Sequence, residues 1–186
     1  MNYKITMIFV NSILFLKKMH LYVKINDMDV VSFDVDTSLT TRLLDVFSCV
    51  MGVVLFVDLL VGDFPHLNMR YLICYNLLSI SYNFRFIFNG FLISSFTPSM
   101  TSIFSNIAWY ERECWDLYGI FFIGNRDLRR ILNDYGFFGY PFRKDFPLSG
   151  YSEIAYSYRF SSLIYLKIKL IQEYRFFSNN LTWKFN

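Results

Sequence analysis

The chain has 186 residues, a formal net charge of +3, 54% hydrophobic and 21% aromatic side chains. That length suffices for one domain with a core of its own plus a tail. Residues 1–108 hold seven basic and seven acidic groups, and the surplus of positive charge lies wholly after Ser152; this excludes a phosphate-neutralising stripe, and with it a nucleic-acid binder.

So apolar a chain invites a membrane reading. Its longest charge-free run, 86–110, contains Asn89, Gly90, Ser94, Ser95, Thr97, Pro98 and Ser99, so it is no spanning helix. Residues 5–16 are apolar between Lys4 and Lys17, too short for a span of about 20 residues. Phe occurs 22 times and Tyr 14, whereas Ala occurs only at 108 and 155. This tilt toward AT-rich codons points to an AT-rich organelle genome and inflates every aromatic patch. The sequence opens without an Arg-rich transit peptide, as expected of a protein made inside the organelle.

Taken in order, residues 1–20 read as a packed helix rather than an anchor. Segments 22–25 and 30–35 are short strands around the polar turn Asn26-Asp27. Ser38 or Thr40 caps a helix over 39–51 that carries Leu43, Leu44, Phe47 and Val50. Segment 53–61 is a buried strand, broken by Gly62-Asp63-Phe64-Pro65. Segments 70–77 and 83–91 are two further strands. Thr97-Pro98 starts a helix on which Met100, Ile103, Phe104, Ile107, Glu111, Cys114, Trp115 and Tyr118 follow helical spacing, and Gly119 ends it. Segment 120–123 is a short strand. Segment 127–133 is a short helix with Leu128, Ile131 and Leu132 inward and Arg129-Arg130 splayed outward. Prolines, glycines and serines interrupt 137–151, which is expected to be ordered by a partner surface. Ile164, Leu166, Ile168 and Leu170 alternate with other residues in a strand or extended arm.

Chemistry concentrates in 109–151, which holds 12 of the 33 charges and 5 of the 8 glycines. Its carboxylates, Glu111, Glu113, Asp116, Asp127, Asp134 and Asp145, could supply acid–base pairs. No histidine follows residue 66, and the chain has no CxxC and no Gly-rich phosphate loop. Each carboxylate has a basic neighbour among Arg112, Arg126, Arg129, Arg130, Arg143 and Lys144. Arg112 and Asp116 stand four apart, worth about 0.3 kcal/mol on an exposed helix. Cys49, Cys74, Cys114, His20 and His66 are isolated and read as structural. They have the spacing of neither a disulfide framework nor a metal site. Residue chemistry alone leaves a solvated charged face, an interface and a catalytic cluster open.

The order Glu111-Arg112-Glu113, Trp115-Asp116, Gly119-Ile120, Asp127-Leu128-Arg129-Arg130-Ile131-Leu132, Asp134-Tyr135-Gly136-Phe137 and Arg143-Lys144-Asp145-Phe146-Pro147-Leu148 with Gly150-Tyr151 resembles one family. It is the 30 kDa-class peripheral-arm subunit of respiratory complex I. Weaker similarity reaches back to about residue 64 and forward to about 183. The chain departs from the family's pattern where Asn125-Arg126 replaces His-Pro, where Tyr140 replaces a histidine, and where a tail proline is missing near Ile168.

The resemblance implies a subunit that binds no cofactor itself, in a complex that carries NADH, FMN, iron–sulfur clusters and ubiquinone. It implies packing against the 49 kDa-class quinone-site subunit, with Glu111, Arg112, Glu113, Trp115, Asp116, Asp127, Arg129, Arg130, Asp134, Tyr135, Arg143, Lys144 and Asp145 as interface residues and none of them catalytic or metal-binding. It places the chain on the matrix side of the mitochondrial inner membrane without a span of its own. With the elements above, the expected fold is α+β: a two-layer domain of mixed β-sheet and packed helices over 1–136, then an extended C-terminal arm over 137–186. A free-standing enzyme using the carboxylates and an assembly factor anchored by 5–16 are the competing readings.

Overall fold

The computed structural model describes residues 22–26, 30–34, 44, 55–81, 83–92 and 94–177. The expected N-terminal packed helix, all but one residue of the 39–51 helix, and residues 5–16 lie outside them. Five strands, β1 (Tyr22–Asn26), β2 (Val30–Asp34), β3 (Leu55–Asp63), β4 (Tyr71–Ser79) and β5 (Phe84–Leu92), form one sheet in the order β1-β2-β5-β4-β3. All neighbours are antiparallel except β2 and β5, which run parallel. The sheet is therefore mixed, as expected.

Alternation along β4 and β5 settles which face is the core. Tyr71, Ile73, Tyr75 and Leu77 on β4 are buried, and so are Phe86, Phe88 and Leu92 on β5. Register sets Tyr75 opposite Phe88 and Leu77 opposite Phe86, so these rings share one face. The helix α1 (Ile107–Tyr118) covers this face, with Ile107, Cys114 and Leu117 buried. Tyr110 meets Phe56 edge-on at 5.2 Å. Beside the helix, β6 (Phe96–Pro98) and β7 (Phe121–Ile123) pair in parallel, with Thr97 and Phe122 inward.

Several boundaries differ from the sequence reading. Thr97-Pro98 does not open a helix: it is β6, and α1 starts ten residues after Thr97. Proline's missing N–H is tolerated in so short an edge strand, and the carboxylate of Glu111 captures the Met100 N–H across 2.8 Å. Asn106 precedes the helix, but its amide donates to the Phe56 carbonyl instead of capping. β3 runs on through Gly62 and Asp63. Residues 127–133 form no helix, for a reason that lies in Asp116. Further on, β8 (Ser152–Ser157) and β9 (Ser162–Lys167) form an antiparallel hairpin. Its first strand is hidden in the sequence behind two serines and a glutamate.

The chain divides into two compact units, 1–146 and 147–186. The break falls ten residues beyond the expected one at 136/137. Residues 137–146 belong to the first unit because they bond to α1 and to the end of β3. Within the chain, the Phe142 N–H donates to the Leu117 carbonyl, Arg143 to the Tyr118 carbonyl and the Lys144 N–H to Asp63.

Gly119 makes that strapping possible. It ends α1 at φ 73°, and its N–H returns to the Trp115 carbonyl at 3.0 Å. A Cβ there would lie 2.6 Å from an Arg143 guanidinium nitrogen and 2.7 Å from the Tyr140 ring. Gly136 has a similar φ, 70°, but open space around it. Gly136→Ala should cost only the left-handed backbone penalty, about 1–2 kcal/mol. Gly119→Ala should cost at least about 1 kcal/mol more, because overlap adds to that penalty. Urea denaturation of both variants checks this, and equal losses would contradict it.

Candidate functional site

Asp116 sits in the last turn of α1 with its side chain fully buried. Its Oδ2 accepts the N–H groups of Ile131 at 3.2 Å, Leu132 at 2.7 Å and Asn133 at 2.8 Å. Its Oδ1 accepts the Asn133 amide at 2.7 Å and pairs with Arg130 Nε at 3.1 Å. Burial pushes the carboxyl pKa up, but these donors outweigh it and hold Asp116 below the usual carboxylate range. Three successive N–H groups pointing at one oxygen cannot also form an i to i−4 ladder. This is why 127–133 is a loop although its apolar spacing fits a helix.

Arg130 fills the space under that loop. Its guanidinium donates to the carbonyls of Phe137, Gly139 and Asp116, the last at 3.3 Å, and stacks 4.9 Å over the Tyr140 ring. Arg143 donates from Nε to the Tyr118 carbonyl at 2.6 Å and lies 4.4 Å over the same ring. Both arginines thus satisfy carbonyls that the end of α1 and the following loop leave without partners. The expectation that Arg129 and Arg130 both splay outward is corrected: Arg129 is exposed beside Asp127 at 3.1 Å, and Arg130 turns inward.

A third clamp was not anticipated. Asp63, buried at the end of β3, takes a two-pronged hydrogen bond from Arg70, 2.6 Å from Nε and 2.8 Å from Nη2. It also accepts the Lys144 N–H at 2.8 Å. The Arg70 hydrogen bond holds the Asp63 carboxyl below its usual range against the opposing effect of burial, and the Lys144 N–H adds to it. Arg70 also reaches the exposed Asp145 at 3.0 Å. Asp63 and Arg70 lie some 75 to 80 residues upstream of their partners, so no local spacing could have revealed them.

Glu111 is different. It is fully buried, and it accepts from Met100 N–H at 2.8 Å, Ser99 Oγ at 2.7 Å and Asn125 Nδ2 at 2.7 Å. None of the ion pairs among the described residues includes it. Burial raises its pKa, and the three donors only partly offset that.

The remaining motif residues fall into two groups. Arg112 is buried, stacks 4.7 Å over Trp109, and donates to the Arg129 carbonyl at 3.2 Å, so the weak helical pair with Asp116 is not its role. Trp115 meets Phe121 and Tyr140 edge-on at 5.9 and 5.8 Å. Glu113, Asp127, Asp134, Tyr135, Lys144 and Asp145 face solvent. Leu132, Phe138 and Phe142 are exposed with them. Among the described residues no three of His, Cys, Asp and Glu gather as metal ligands, and no helix is long and apolar enough to cross a membrane.

Asp116→Asn should cost about 3 kcal/mol, the low end for stranding a buried charge, because Arg130 keeps a quarter of its side chain exposed. Hydrogen exchange at residues 131–133 should rise in the same variant. Since the folded pKa values of Asp63 and Asp116 are lowered, the stability they add is complete above about pH 4, where an unfolded aspartate is ionised. It is lost as pH falls through the folded values. Urea melts between about pH 6 and pH 3 should lose stability less steeply in Asp116→Asn than in the parent chain; parallel curves would show that Asp116 is not a charged clamp.

Residues 34–152 match the sequence profile described as respiratory-chain NADH dehydrogenase, 30 Kd subunit, which extends the similarity thirty residues further back than the eye finds it. NADH-ubiquinone oxidoreductase subunit 9 of Acanthamoeba castellanii is 47% identical over 127 residues, 68% of this chain and 65% of that protein. An NADH-quinone oxidoreductase subunit of Novosphingobium aromaticivorans is 44% identical over 66% of this chain and 40% of that protein. The matched part thus spans less than two thirds of either relative. Among solved structures, a trypsin-resistant fragment of Nqo5 superposes with a TM-score of 0.59 at 18% identity, over 65% of this chain and 99% of the fragment, a likeness of fold. With the profile covering well over half of its length, the chain belongs to the family of the 30 kDa subunit of respiratory-chain NADH dehydrogenase.

Proposed function

We propose that the chain is a scaffold subunit in the matrix arm of mitochondrial NADH:ubiquinone oxidoreductase. It holds no cofactor and no catalytic residue itself. It packs against the 49 kDa-class quinone-site subunit, while NADH, FMN, iron–sulfur clusters and ubiquinone are handled by other chains. The names of its relatives support the complex. The buried carboxylates support the scaffold role, because Asp63 and Asp116 are committed to backbone N–H groups and arginines.

The observation that carries the reading is one face of the β8–β9 hairpin. Register sets Ile154 opposite Tyr165 and Tyr156 opposite Leu163, so four large apolar side chains share that face. Each is roughly half exposed or more, from 48% for Ile154 to 67% for Leu163. A two-stranded hairpin is marginal by itself, and an apolar face of this kind is an aggregation hazard unless a partner covers it. Arg130 and Arg143 then act on assembly indirectly, by fixing residues 127–146. Arg129, in its exposed pair with Asp127, contributes about 1 kcal/mol or less.

Ile154→Ser with Leu163→Ser should leave the first unit's hydrogen-exchange pattern unchanged. The amount of intact complex on native gels, and of co-purified 49 kDa-class subunit, should fall about tenfold or more. NADH-to-quinone turnover per assembled complex should stay at the parent level. Complex of normal abundance with turnover abolished would refute the scaffold role.

A further inference from the structure

Two hydroxyls lead away from the buried carboxyl of Glu111. Ser99 Oγ lies 2.7 Å from Glu111 Oε2, and Thr101 Oγ1 lies 2.9 Å from Ser99 Oγ. Glu111 is fully buried, whereas Ser99 and Thr101 at the end of β6 are partly exposed. We propose that Glu111 is a buried proton-binding site whose proton is exchanged with solvent through the hydroxyl chain Ser99–Thr101.

The geometry serves both protonation states without moving a heavy atom. A hydroxyl has one donor and two acceptor sites. With Glu111 ionised, Ser99 donates to Oε2 and accepts the Thr101 N–H at 3.2 Å. With Glu111 protonated, Oε2–H donates to Ser99 Oγ, and the Ser99 hydroxyl turns to Thr101 Oγ1. The step balances: a solvent hydronium gives one proton to Thr101 Oγ1 and is left as water, Thr101 passes its own proton to Ser99, and Ser99 passes its own to Oε2. The Met100 N–H and the Asn125 amide hold the carboxyl in place in either state.

Burial opposes ionisation of Glu111, and none of the ion pairs among the described residues compensates it. From β4, Tyr75 faces Glu111; it is fully buried, and burial pushes its pKa up, so it stays neutral. From α1, Cys114 is likewise kept neutral by burial, and Glu113 adds a negative charge; from β3, Asp58 adds another near Cys114. The end of β7 contributes Asn125, a neutral amide. No arginine or lysine among the described residues pairs with Glu111. Asp116, one turn on, has Arg130 and three N–H donors and is held ionised.

The test is a carbon-13 titration of the Glu111 side-chain carboxyl in the full chain, assigned through its covalent neighbours. The midpoint should lie above about 4.3, the value of an ordinary glutamate. Thr101→Val keeps the shape but removes the acceptor that Ser99 needs when Glu111 is protonated. It should weaken proton affinity about fivefold, the equivalent of one neutral hydrogen bond. Thr101→Ser restores a hydroxyl and should restore the parent midpoint. A parent midpoint at or below that of ordinary glutamate would overturn the proposal. So would a Thr101→Val midpoint equal to the parent's, or a Thr101→Ser midpoint equal to that of Thr101→Val.

Discussion

A charge with no exposed surface must find its solvation inside the protein. Asp116 finds it in the backbone of residues 131–133 and in the guanidinium of Arg130. Because those donors arrive from a segment more than ten residues downstream, satisfying one carboxylate fixes the path of the chain. Arg130, once drawn in, has donors left over, and they gather the carbonyls of Phe137 and Gly139. Arg143 and Asp63 repeat the arrangement farther along, the first on the end of α1 and the second on the Lys144 N–H. Residues 127–146 have no helix or strand of their own, and they are held by these polar clamps in place of a hydrogen-bonded ladder.

Parts of the fold were legible because their causes are local. Apolar alternation in β4 and β5 follows from a sheet with one covered face, and the structure places these strands within two residues of the reading. The Gly119 stop is equally local. The start of α1 was misread because Thr97-Pro98 carries a helix-opening signature that a parallel pairing with 121–123 overrides. The loop at 127–133 was misread because Leu128, Ile131 and Leu132 have helical spacing, and nothing within that segment announces a carboxylate from another element. Arg129 and Arg130 are identical neighbours in sequence with opposite fates. The difference comes from which of them faces Asp116, and that is known only once the loop is folded.

The candidate site shows the same division. The density of charge in 109–151 suggested one surface where there are two sets of residues. Asp116, Arg112, Arg130 and Arg143 face inward or are half-buried, and hold the fold; Glu113, Asp127, Arg129, Asp134 and Asp145 face water. Sequence spacing gave no access to Asp63 and Arg70, because the bonds they make with Lys144 and Asp145 join residues 81 and 75 positions apart.

A compositional tilt toward AT-rich codons would account for the number of aromatic and aliphatic residues, but not for where they stand. Drift acts on codons and is blind to strand register. In β8–β9 the register collects Ile154, Tyr156, Leu163 and Tyr165 on one side, and sets Glu153, Ala155 and Ser157 opposite Leu166, Ile164 and Ser162 on the other. β6–β7 is similar: Thr97 and Phe122 are buried, while Phe96, Phe121 and Ile123 point outward and remain exposed. Strands with apolar side chains on the solvent face belong to sheets that are covered on both sides. The polar clamps and the apolar faces are thus separate: the clamps tie residues 127–146 to α1 and to the end of β3, while the large apolar side chains on the outer face of β6–β7 and on one face of β8–β9 stay exposed in this chain.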